Sequence, residues 1–195
     1  MIDALNTIKI EHRNLAAVLH AMHYLVTSLR ARSAHPNFDA FRAMLYYFDV
    51  FSERMHHPKE DEFLFQPLRA RGADDAIIDE LEREHARMAA AMRSLEQELL
   101  HFEAGGEHEF VAFATAVEGF CEFYLRHMHR EETLVLPLAE RLFSDADWAR
   151  LDGACSTRFE PPEGAQEELE LQQLYRRIVG PGLPPQGGRG PVGPV

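Results

Sequence analysis

Cysteine occurs only twice, at Cys121 and Cys155, so the 195-residue chain has neither a CxxC metal or redox motif nor a disulfide framework. A chain of this length builds its own core without such staples. Basic side chains are also few: 20 Lys and Arg against 32 Asp and Glu leave a formal net charge of −12. That balance lacks the basic footprint that phosphate backbones and anionic membranes require, so neither nucleic acid nor membrane is an expected partner. No apolar run approaches the roughly 18 residues of a membrane span. Met1-Ile2-Asp3 opens neither a basic nor an apolar leader, and a cytoplasmic protein is the expectation. Strand-like alternation is missing from the first two thirds of the chain, and no internal repeat is evident.

What the chain does contain is apolar residues at helical spacing. With 46% hydrophobic and 27% charged residues it has the composition of a globular domain, and the pattern predicts an all-α fold. A first helix, roughly residues 3–32, carries Leu5, Ile8, His12, Leu15, Leu19, Met22, Val26 and Leu29 on one stripe. Pro36 interrupts it and Asn37 caps the next helix, which runs to about residue 71 with Phe38, Phe41, Leu45, Phe48, Ser52 and His56 in line, continuing toward Phe63. Gly72 ends that helix, and Asp74 or Asp75 caps a third bearing Ile77, Leu81, His85, Met88, Met92, Leu95, Leu99 and Phe102. After Gly105-Gly106 a fourth helix, about 107–142, aligns Phe110, Phe113, Val117, Phe120, Tyr124, His127, Glu131, Leu134 and Leu138, with Pro137 distorting its last turns. Short connections between long helices predict an up-down-up-down antiparallel four-helix bundle over 1–145. A C-terminal helical extension follows over 146–179, with Leu171, Leu174, Tyr175 and Ile178 on one side of a helix beginning at Glu163. Residues 180–195 hold six of the twelve glycines and five of the eleven prolines, and are expected to form a disordered tail.

The chain has eleven histidines, and four of them, His12, His56, His85 and His127, each occupy an apolar stripe, one per helix. A single histidine on such a face is ordinarily a hydrogen-bonded core residue. Four converge because the helix rise puts them level: counting residues to the connecting turns places His12 and His56 each roughly 30 Å from the first turn. His85 and His127 are likewise equidistant from the third. Four imidazoles in one core layer bring polar nitrogens that must be satisfied.

Carboxylates share the layer. Glu60 lies four residues after His56 and Glu131 four after His127, so each pair occupies one helix face. A carboxylate buried beside imidazoles is costly unless a cation balances it. Mixed imidazole and carboxylate donors suit iron, zinc or manganese, and carboxylates from two helices suit bridging between two ions. The candidate ligands are therefore His12, His56, Glu60, His85, His127 and Glu131.

These residues resemble the hemerythrin-like, or HHE cation-binding, domain of the bacterial type. The resemblance spans about residues 3–142. It rests on Glu11-His12, on His56-x-x-x-Glu60 running into Phe63-Leu64-Phe65-x-Pro67, on Glu84-His85, and on His127-x-x-x-Glu131-Glu132 running into Leu136-Pro137-Leu138. It implies two non-haem iron ions with an oxo or hydroxo bridge, histidines as terminal ligands, Glu60 and Glu131 as bridges, and dioxygen or a related small ligand at an open position. Sensing, storage and redox or iron homeostasis are the roles it implies. A di-iron oxidase or peroxidase would use the same site. Oxygen-carrying members have a fifth histidine four residues along the third helix, where this chain has Leu81 and Ala89. They also place an aspartate one position further than Glu131. The vacancy is open to water, to Glu132 or to an exogenous ligand, which favours redox reaction over carriage.

The remaining candidates weigh less. His57 lies about 100° round a regular helix from His56 and points away from the stripe, so His56 is preferred as ligand although Pro58 weakens the phase. His129, His20, His35, His101 and His108 read as surface residues, and His23 lies about three turns from His12. Met22, Met88 and Met92 read as core, and Cys121 as a buried inert thiol. Glu53-x-x-His56 and Glu82-x-x-His85 match the spacing of ferritin-like iron-handling proteins, but on the wrong pair of helices. A metal-free bundle is a further alternative, and a homodimer is compatible with the sequence.

Overall fold

A computed structural model describes residues 2–32, 34–156 and 163–180, and the described residues are helical throughout, with short turns. Four long rods form the bundle: α1 (Ile2–Arg30), α2 (38–70), α3 (Asp75–Gly105) and α4 (110–142). Two shorter helices follow, α5 (Asp145–Ser156) and α6 (Glu163–Val179). The expected tail lies outside the described residues except for Gly180.

The helix ends follow local chemistry. Asn37 accepts the Ala40 N–H at 3.0 Å and Asp74 accepts that of Ala76 at 2.9 Å, each satisfying an otherwise orphaned amide. Gly72 and Gly106 close α2 and α3 at φ of 80° and 69°, where a side chain would be strained.

Cross-helix pairs set the directions. His12 meets Glu132, Leu19 meets Cys121 and Arg30 meets Glu118, so α1 and α4 are antiparallel. Arg42 meets Glu103 while Arg69 meets Glu82, so α2 and α3 are as well. Phe41 packs on Phe113 and Phe48 on Phe120, which makes α2 and α4 parallel across the bundle, as an up-down-up-down order requires. Helix α6 lies against α1 and α2, burying Leu171 and Ile178, and α5 lies against α1.

Three π-helical segments interrupt the rods: Phe48–His56 and Asp61–Phe65 in α2, and Glu131–Val135 in α4. Each ends two residues before a proline: Pro58, Pro67 and Pro137. In each, the residue before the proline donates its N–H to the carbonyl five residues back: His57 to Ser52, Gln66 to Asp61 and Leu136 to Glu131. A proline ring clashes with the carbonyl four residues earlier, and a widened turn relieves it. The extra residue shifts the buried face. Val135 and Leu136 are buried in α4 while Leu134, expected in the stripe, is 42% exposed; in α2, Leu64 and Phe65 are buried and Phe63 only partly.

The apolar core is divided into two. One cluster runs from Leu15 and Val18 through Phe48 and Phe113 to Tyr124; the other gathers Ile8, Leu64, Leu81, Leu136 and Trp148 near the opposite end. Buried polar residues from all four rods fill the layer between them.

Candidate metal centre

Five buried histidines and the two fully buried glutamates form the centre of that layer: His12, His56, His57, His85, His127, Glu60 and Glu131. All six residues expected from the sequence are present. They divide into two groups whose donor atoms lie within 4.8 Å of one another: His12, His56, Glu60 and Glu131 in the first, and His57, His85 and His127 in the second.

The two glutamates connect the groups. Oε1 of Glu60 is 3.4 Å from Nε2 of both His12 and His56, while its Oε2 is 3.7 Å from Nε2 of His85. Oε2 of Glu131 is 3.3 Å from Nε2 of His12, and its Oε1 lies 3.2 Å and 3.6 Å from Nε2 of His127 and His85. Each carboxylate thus shows one oxygen to each group. Both are fully buried, and none of their four oxygens has a hydrogen-bond partner; Nε2 of His12 has none either. Two buried carboxylates left this way are costly, and cations at the two groups would supply what their oxygens lack. The donor set therefore fits a pair of metal ions.

Outer carboxylates orient the imidazoles. Nδ1 of His56 bonds Glu11 at 2.8 Å, that of His85 bonds Asp61 at 2.9 Å, that of His127 bonds Glu84 at 2.8 Å, and that of His12 bonds Glu132 at 2.9 Å. The bonds form a ring, from α1 to α2, α2 to α3, α3 to α4 and α4 to α1. Each leaves Nε2 facing the centre, which is how a surrounding carboxylate fixes the tautomer and aim of a ligand. Two of these carboxylates are themselves held: Lys59 bonds both oxygens of Glu11 at 2.6 Å, and Arg130 bonds Glu84 at 2.7 Å.

His57 corrects the sequence reading. It was expected to point away from the stripe, yet it is 3% exposed and its ring stacks on His85 at 4.0 Å between centroids. The reason is the π-helical stretch before Pro58, which turns two successive residues inward together. Nε2 of His57 meets Ser52 Oγ at 3.2 Å and the Tyr124 hydroxyl at 3.1 Å, while its buried Nδ1 has no hydrogen-bond partner. His57, from α2, thus joins His85 and His127 in the group to which α3 contributes a single histidine. Glu132, the alternative the sequence offered, is bonded to Nδ1 of His12 and belongs to neither group. The only sequence signal was the dipeptide His57-Pro58, where a proline breaks the regular helical phase.

The imidazoles and carboxylates of the layer shift one another's titration. Burial opposes an imidazolium at His12, but Glu131, Glu132 and Glu60 outweigh it and hold His12 well above the usual range. Burial likewise opposes His85, and Asp61 and Glu131 raise it to about 10. His127 is raised despite burial, chiefly by Glu131. Burial alone would raise Glu131, but His127, His12 and His85 pull it well below the usual carboxylate range. His57 differs: burial and the repulsion of His85 and His56 push it well down, leaving it neutral.

Other candidates fall outside the layer. His20, His23, His35, His101, His108 and His129 are exposed. Met22, Met88 and Met92 are core, and Cys121 is buried with its thiol donating to the Leu19 carbonyl. Glu82 of the ferritin-like spacing is bound by Arg69, and Glu53 lies beside His57 and Tyr124.

A family model for the hemerythrin HHE cation binding domain matches residues 3–139. No curated protein and no solved structure matches the chain.

Proposed function

The chain belongs to the hemerythrin HHE cation-binding family, and from that membership we propose that it holds two non-haem iron ions and binds dioxygen or a related small redox ligand. His12 and His56 would be terminal ligands of one ion, and His85, His127 and His57 of the other, with Glu60 and Glu131 spanning both. The observation that carries this is the pair of fully buried carboxylates, each with one oxygen toward each histidine group and no hydrogen-bond partner on either. When bound, the ions would supply a redox couple and a coordination position for a small ligand. The chain's own residues do the rest. The ring of outer carboxylates holds Nε2 of His12, His56, His85 and His127 in place, Ser52 and Tyr124 position His57, and the two apolar clusters flank the layer. Zinc or manganese would satisfy the same donors, with supply deciding between them.

An oxidase or peroxidase would use this site with turnover added. Metal analysis of protein purified without added metal, with optical spectra under air and after anaerobic reduction, tests the proposal. About two irons per chain, with near-ultraviolet bands that bleach on reduction, are expected. Zinc alone, or no metal after reconstitution with ferrous iron, would overturn it.

A further inference from the structure

Outside the polar layer, a partly open cavity of about 930 Å³ lies between α1, α2 and the two C-terminal helices. Its size is that of a small-molecule site. Helices α5 and α6 lie beyond the stretch matched by the family model, so this cavity is built partly by sequence the family match does not include.

One wall is aromatic. Tyr47 and Phe51 of α2 stack at 5.2 Å with their planes 17° apart, and Tyr175 of α6 comes to 5.9 Å from Tyr47. Glu11, His56 and Lys59 also line the cavity, so the space reaches the outer carboxylate of His56, whose ring lies parallel to Phe51. Cationic side chains outnumber acidic ones in the lining, unlike the chain as a whole with its net charge of −12. Lys59 and Glu11 neutralise each other, and Arg54 is held by Asp49. Arg176 of α6 is exposed and has no acidic partner among the described residues; the acidic lining residue that remains, Glu62, is also exposed.

We propose that this cavity binds a planar aromatic small molecule bearing an anionic group, its ring on the Tyr47–Phe51 wall and its charge at Arg176. Flat aromatic surfaces favour stacked rings, and a guanidinium favours a carboxylate or phosphate. A phosphate-bearing flavin and a small aromatic carboxylate share this chemistry. Occupancy would place the ligand against the Glu11–Lys59 pair that orients His56, but binding itself does not require metal.

The test uses the full chain, both as purified and after chelation, with metal content measured in each sample. Flavin mononucleotide is titrated while its fluorescence is followed; riboflavin, which lacks the phosphate, is the uncharged control, and salicylate the competitor. Saturable quenching at one site per chain is expected, weakened about tenfold by Arg176→Glu, by Tyr175→Ala and by loss of the phosphate. Arg177→Glu, on the same helix but outside this cavity, should leave it unchanged. Displacement by salicylate points to a small aromatic carboxylate, and its failure to displace bound flavin points to the phosphate-bearing ring; either supports the site. Absence of saturable binding by both probes, or binding indifferent to Arg176→Glu and Tyr175→Ala, overturns it. Flavin binding in a chain that takes up no metal would separate this inference from the metal assignment.

Discussion

Glu84 on α3 holds Nδ1 of His127 on α4 at 2.8 Å, and the residue after it, His85, is in turn held by Asp61 on α2. Adjacent residues on one helix therefore serve different purposes, one aiming a neighbour's imidazole and the other presenting its own. Glu11 and His12 repeat the arrangement on α1. Replacing Glu84 by Ala should lower metal affinity about 10- to 100-fold while leaving the helices formed. Competition titrations against a chelator would measure this; unchanged affinity would reduce Glu84 to a partner of Arg130.

With His57 a ligand as proposed, His57→Ala should weaken the ion proposed for the His85–His127 group and leave the affinity of the His12–His56 group as it was in the unmodified chain. Substitution of a mere core residue would lower the melting temperature but leave both affinities as they were.

Glu60→Ala removes a carboxylate whose two oxygens face different groups, so at least one ion per chain should be lost. His129→Ala alters an exposed residue two positions from His127 and should leave metal content alone. Full stoichiometry in the Glu60 variant would rule out its bridging role.

In the metal-free chain, stability should fall on both sides of a plateau. His85 rises from 6.5 to about 10 on folding, so its contribution is complete below 6.5 and is lost as pH climbs toward 10. Glu11, which burial would raise, is instead drawn from 4.5 to about 2 by His56 and Lys59; its contribution is complete above 4.5 and is lost as pH falls toward 2. Metal takes neutral histidine, so loading should flatten the alkaline side. Melting temperatures across pH, with and without chelator, would show this. A flat alkaline profile in the metal-free protein would contradict the upward shift of His85.

The π-helical turn before Pro137 predicts a reversal of the simple stripe. Leu136→Ala, at a buried position, should cost about 2–5 kcal/mol, whereas Leu134→Ala should stay within about 0.5 kcal/mol. Equal losses in denaturant melts would mean that α4 keeps regular phase.

The legible parts were those with a fixed period or a local cap. Apolar steps of three and four found the four rods, Asn37, Gly72, the Asp74-Asp75 pair and the Gly105-Gly106 pair bounded them, and residue counts to the turns put His12, His56, His85 and His127 in one layer. Glu60 and Glu131 were legible because four residues is one helical turn. The phase was lost where it depended on a backbone change: Pro58, Pro67 and Pro137 were visible as prolines, but a proline can kink, break or widen a helix, and the sequence does not say which.

Sequence alone thus determined the helices, the level of the polar layer and six of the seven side chains at its centre, because these follow from spacing along a single chain. Tertiary structure decided that His57 turns inward beside His56, that Leu136 replaces Leu134 in the core, and that each outer carboxylate reaches the next helix round the bundle. Those outcomes depend on how neighbouring helices accommodate a widened turn, and on which side chains meet across an interface, neither of which is encoded in the spacing of one helix.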